Sequence, residues 1–167
     1  MLVSALVGPL WPAVRSDASP SPVPSMSAVL PVFVGPAGWY HAQGTSDGLG
    51  TWLRSGNVNN SESIVAEAKD GIPSLDTLYR AEYRYINALP DEFGYAPAKT
   101  TVCDTHPALL ISYTYSSPSG DPTDVDLVIA VFGTRGYSAR YTRSISDQEN
   151  AAAEQSLTTL CSRVASH

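Results

Sequence analysis

Cys103 and Cys161 are the residues of this chain with the most reactive side chains. Cys103 opens the run Cys103-Asp104-Thr105-His106, a thiol, a carboxylate and an imidazole in close sequence. A nucleophilic thiol needs a neighbouring base and a lowered pKa. On an extended segment, residues three apart point to opposite faces, so Cys103 and His106 form no ready dyad. A structural zinc site takes four ligands. The chain offers two cysteines and three histidines, one of them the final His167. The favoured reading is one structural disulfide between Cys103 and Cys161; two buried free thiols are the alternative. Disulfides persist in oxidising compartments, so the pair points to an extracytoplasmic, secreted or periplasmic protein.

Three further groupings hold side chains that chemistry could use. Asp121, Asp124 and Asp126 are closely spaced carboxylates of the kind calcium uses, but EF-hand spacing is lacking and Asp and Pro are ordinary turn residues. A hydrolytic site would need His41 or His106 in one cleft with a carboxylate such as Asp104 or Glu82, and no G-x-S-x-G elbow supports it. The glycine-containing stretches 44–50 (GTSDGLG) and 133–136 (GTRG) lack the lysine and helix context of phosphate loops and read as hairpins. No metal and no cofactor is expected. The remaining candidates are aromatic: Trp39, Tyr40, Trp52, Tyr113, Tyr115, Tyr137 and Tyr141 come mostly from strand-like segments. Core packing accounts for such residues by default. Tyrosine also carries a polar tip and is favoured at contact surfaces, so the set is a candidate ligand- or partner-binding sheet face.

Those side chains need a scaffold. Strand-like runs are expected at 29–34, around Trp39 and Trp52, and at 63–69 (SIVAEAK), with 56–61 (GNVNNS) as a turn carrying the sequon Asn59-Asn60-Ser61. The spacing of Leu75, Leu78, Tyr79, Tyr83, Ile86 and Leu89 predicts a helix over 75–89, capped by Ser74 and stopped by Pro90. Glu82 projects into that apolar stripe and is expected either to pair with an arginine or to be a buried acid. Extended segments follow at 100–103, 108–115 (ALLISYTY), 125–132 (VDLVIAVF, apolar enough to be central) and 137–143 (YSARYTR). Ser146-Asp147-Gln148-Glu149 fits a capping box. It predicts a last helix whose stripe is Ala153, Leu157, Leu160, Cys161 and Val164, with Cys161 tying it to the sheet.

Composition bounds the rest. The hydrophobic share of 43% is enough for a core, and the charged share of 16% lies below the roughly 25% of an average soluble protein. A net charge of -6 disfavours nucleic acid and anionic membrane, which need a positive surface. No apolar stretch approaches the roughly 20 residues of a membrane span. Residues 1–28 form an apolar start (MLVSALVGPLWPAV) and a Pro/Ser-rich linker, read either as part of a signal peptide or as a tail. Residues 29–167 read as a single α+β domain.

The Gly38-Trp39 pair, the capped helix after three strands, and a late hairpin running into a helix together resemble the Mog1/PsbP-like superfamily, closest to its small exported bacterial members of actinobacterial type. The resemblance spans about residues 29–164 and rests on element order rather than on a catalytic string. It implies a twisted antiparallel sheet flanked by helices, the C-terminal one packed on the sheet, and a non-enzymatic binding or assembly role. No family site maps onto particular residues. The expectation is thus an exported, monomeric binding protein for a protein partner or a small apolar ligand. The rivals are a small hydrolase and a structural subunit of an envelope or photosynthetic-type complex.

Overall fold

A computed structural model describes residues 32–56, 62–94, 96–148 and 150–162. The segment 1–28, the sequon, Glu149 and Val164 lie outside the described residues. The elements in order are β1 (Trp39–Gly44), β2 (Gly50–Arg54), β3 (Ser63–Asp70), α1 (Leu75–Ile86), β4 (Phe93–Gly94), β5 (Ala98–Val102), β6 (His106–Ser116), β7 (Pro122–Phe132), β8 (Arg135–Ser144) and α2 (Ala151–Leu157). All strands join one eight-stranded antiparallel sheet in the order β1-β2-β3-β8-β7-β6-β4, with β5 also pairing β6. This is the expected α+β sheet with helices packed on it.

Strand alternation divides the core between the two faces. Val125, Leu127 and Ile129 of β7 pack with Ile111, Tyr113, Leu78 and Ile86 beneath α1. Val128 and Ala130 of the same strand pack with Ile64, Tyr137, Tyr141, Leu157 and Leu160 beneath α2. A strand apolar on both sides must be covered on both sides, and β7 lies inside the sheet, between β6 and β8.

Helix α1 is seated by small local features. The Ser74 hydroxyl accepts a bond from the Thr77 N–H at 3.2 Å, which satisfies one of the orphan donors of the first turn. The side chains of Leu78 in its first turn and of Ile72 just before it fit against β8 because residue 136 is glycine: a Cβ there would stand 3.0 Å from Ile72 and 3.1 Å from Leu78. Glu82 takes the paired form of the two expected, with its carboxylate 3.1 Å from Nη2 of Arg140 on β8.

Five expected boundaries are corrected. Of the strand expected at 29–34, residues 29–31 lie outside the described residues and Val32–Val34 is not a strand. The N–H groups of Val32 and Phe33 both reach Asp47 O, and Val32 O accepts from Cys161 N–H. Its backbone partners are thus a loop and the tail, while Phe33 plugs the α2 face at 1% exposure. The first helix ends at Ile86 rather than residue 89, and Leu89 N–H turns back onto Ile86 O. Cys103 falls beyond the end of β5, in the turn to β6 with φ 50°. The last helix starts at Ala151, where Asn150 Oδ1 accepts from the Ala152 and Ala153 N–H groups. Ser146 is held in the preceding turn beside Ser144. The helix also ends at Leu157, so Leu160 and Cys161 belong to an irregular tail.

Candidate functional site

The sequence candidates separate by face. Trp39, Trp52, Tyr137 and Tyr141 lie with the α2-side core, while Tyr113 and Tyr115 lie with the α1-side core. Tyr40 stands 49% exposed on β1. The α2-side rings pack on one another and on the core. Trp39 meets Tyr141 edge-on at 6.2 Å, Trp52 stacks on His41 at 4.5 Å, and Phe132 meets Tyr137 at 5.7 Å. Their polar tips are held too: Trp52 Nε1 donates to Gly48 O, and Tyr137 OH to Ser162 Oγ. Tyr141 OH donates at 2.9 Å to Glu62, a carboxylate 1% exposed that also meets Arg54 at 2.5 Å. Burial and that bond to Glu62 raise the Tyr141 pKa above the usual phenol range.

The disulfide joins Cys103 to Cys161. It closes a clasp on the same side of the molecule. Cys103 N–H reaches Thr158 O, Cys161 N–H reaches Val32 O, and the Thr159 hydroxyl bonds both Val34 N–H and Val34 O. The incoming segment, the β5–β6 turn and the tail are thereby tied together.

The residues of the hydrolytic reading do not meet. His41 is stacked on Trp52, with Nε2 3.0 Å from Leu49 O. His106 stacks on Phe132 and lies 2.7 Å from Val131 O. Asp104 is in the β5–β6 turn, and Glu82 is on α1 with Arg140. The aspartates are likewise engaged separately. Asp121 accepts from Ser119, Asp126 from Ser112, and Asp124 pairs with Arg143. Among the described residues no cluster of three or more His, Cys, Asp or Glu could hold a metal ion.

A groove on the α1 side brings Tyr113, one of the aromatic candidates, together with residues that the sequence places in a helix stripe, a strand or a loop. It runs between the Tyr79–Ile86 part of α1 and the β4 region, with a volume of about 440 Å³. Tyr79, Tyr83 and Ile86 of α1 line one side, Ile111 and Tyr113 of β6 the floor, and Glu92, Phe93 and Pro97 the lip. Tyr79 and Tyr83 are one helical turn apart, so their rings share a flank, with centroids 5.7 Å apart. The lip is fixed by its neighbours: Asp91 accepts from the Ser116 hydroxyl at 2.8 Å, Ser116 N–H reaches Pro90 O, and Phe93 and Gly94 pair with Thr114 and Tyr113. Asp91 holds φ 51° to make the turn, a conformation Asp tolerates better than most residues.

Exposure separates this groove from the packed face. Tyr83 is 48% and Phe93 61% exposed, whereas Tyr113 on the floor is 2% exposed. Burial pushes the Tyr113 hydroxyl up to about 12, so the floor is neutral at physiological pH. Helix α1 is held on its other flank by Arg140, which pairs with Glu82 and lies 5.1 Å from the Tyr85 ring centroid. The sequence did carry a signal for the groove. Tyrosines occupy positions of the α1 stripe where a buried helix would favour leucine, and a Glu-Phe pair follows Pro90.

No family model and no curated protein matches the chain. Solved structures do. LpqN, involved in cell envelope biogenesis of Mycobacterium tuberculosis, superposes with a TM-score of 0.61 at 15% identity, over 75% of this chain and 78% of its own. PA94, a protein of unknown function from Pseudomonas aeruginosa, gives a TM-score of 0.53 at 18% identity, over 62% of this chain and 74% of its own. Neither carries a Mog1/PsbP-like name, and what both share with this chain is the fold. Among the described residues no helix is long and apolar enough to cross a membrane.

Proposed function

We propose that this chain is a small exported, non-enzymatic binding protein of Mog1/PsbP-like type, and that its working surface is the α1-side groove. The ligand is a small molecule with apolar or aromatic character. One observation carries the reading: Tyr83 and Phe93 stay about half exposed in a groove whose floor, Ile111 and Tyr113, is fully packed. Large apolar side chains that keep part of their surface exposed over a fixed concave floor are the usual make-up of a ligand pocket, and 440 Å³ lies within the usual range of about 300–1,000 Å³. Of the sequence candidates, Tyr113 belongs to this surface, while Trp39, Trp52, Tyr137 and Tyr141 serve the scaffold.

An extracytoplasmic location is supported by the Cys103–Cys161 disulfide and by the envelope role of LpqN, whose fold the chain shares. The net charge of -6 argues for a solute or protein rather than nucleic acid as partner. The reading is tested with the neutral fluorescent probe N-phenyl-1-naphthylamine. Saturable one-site fluorescence enhancement is expected for the wild type. It is lost in the double variant Tyr83→Ser, Phe93→Ser at an unchanged melting temperature. Equal enhancement in that variant would remove the groove as the site.

A further inference from the structure

The β8 flank of α1 shows how this protein holds a cation. The Arg140 guanidinium carbon lies 5.1 Å from the Tyr85 ring centroid, and Nη2 is 3.1 Å from the Glu82 carboxylate. An aromatic face and a carboxylate there share one positive charge. The groove flank repeats two of those parts. Tyr79 and Tyr83 present adjacent rings, and the half-buried Glu92 on the lip of the same groove has no cationic partner among the described residues. No described Lys or Arg lines the groove.

A ring face carries negative quadrupole density and attracts a cation placed over it. A quaternary ammonium group has no N–H to satisfy, so apolar and aromatic walls with one carboxylate suit it better than they suit a hydrated ammonium. The overall charge of -6 favours approach of a cation over an anion. We infer that the groove takes a soluble quaternary ammonium compound, its head against Tyr79 and Tyr83 beside Glu92 and its body along Ile86 and Ile111. This rests on the groove being the binding site and adds the chemical class of the ligand.

The test is isothermal titration of the full chain with choline and with its uncharged isostere 3,3-dimethylbutan-1-ol. Phosphatidylcholine vesicles of equal headgroup concentration form a third arm. Choline is expected to bind about tenfold more tightly than the isostere. Glu92→Gln should weaken choline by about five- to tenfold and leave isostere binding within twofold of wild type, while Tyr83→Leu should weaken choline by more than it weakens the isostere. Melting temperatures report that both variants stay folded. Equal binding of choline and isostere overturns the cation inference and leaves the groove reading standing. So does absence of choline binding when N-phenyl-1-naphthylamine still enters the groove. Binding to vesicles alone overturns the soluble ligand in favour of a membrane headgroup. If neither choline nor the naphthylamine binds, both readings fall.

Discussion

Tyr141 and Tyr83 are both tyrosines on regular elements, yet they sit in opposite circumstances. Tyr141 is 0% exposed, its ring against Trp39 and its hydroxyl on a buried carboxylate. Tyr83 is 48% exposed over a groove with a packed floor. The α2 side is closed by a disulfide, a tail and an incoming segment bonded together. The α1 side is held by one helix, with an ion pair on one flank and a gap on the other. The same residue type is thus scaffold on one face and available surface on the other, and only its surroundings decide which.

Substitutions should reproduce that asymmetry. The largest loss is expected from Leu157→Ala on the closed face, 2% exposed, at about 2–5 kcal/mol in urea unfolding. A cost below 1 kcal/mol would mean that α2 is loosely seated. Replacing Cys103 and Cys161 together by serine removes a crosslink spanning 58 residues and should cost up to about 4 kcal/mol by the chain-entropy relation, read as a lower urea midpoint at constant slope.

Alkaline titration reaches both faces. Tyr113 is raised to about 12 by burial, and Tyr141 is raised by burial and its bond to Glu62. Unfolded tyrosine ionises near pH 10. The stabilisation from a protonated buried hydroxyl is therefore complete below about pH 10 and is lost as pH rises through the folded value. For Tyr113 this is on the order of 2–3 kcal/mol across roughly pH 10–12. The urea midpoint should fall over that window, less steeply in Tyr113→Phe; identical slopes would contradict the assignment. Tyr141→Phe at neutral pH should cost about 1–3 kcal/mol, because Glu62 loses a donor it cannot replace from water. The smallest change belongs to the open face: Tyr83→Ser should alter stability by less than about 0.5 kcal/mol, and a larger loss would make Tyr83 a core residue after all.

The fold was legible because its signals are local and repeated. Residues 108–115 and 137–143 alternate, 125–132 is a continuous apolar run, and the three are found inside β6, β8 and β7 respectively. The cysteines could be paired because there were only two. Helix ends were less legible, since Asn150 and Ser146 are both competent caps and it is Asn150 that accepts from the first-turn N–H groups, while Ser146 stays in the turn beside Ser144. The groove was hidden for a different reason. Periodicity placed Tyr79 and Tyr83 on the apolar stripe, but it does not report how wide a strip the sheet covers. The aromatic set was grouped by strand-like context, whereas β6 sends Tyr113 to one face and β8 sends Tyr137 and Tyr141 to the other.

The central claim is that the α1 side binds while the α2 side holds the molecule together. It is tested most directly by mapping amide chemical shifts of the full chain during titration with N-phenyl-1-naphthylamine. Shifts concentrated in the second half of α1, at Glu92–Gly94 and at Ile111–Tyr113 are the predicted result. Shifts centred on Trp39, Trp52 or the Cys103–Cys161 clasp, with α1 unmoved, would contradict it.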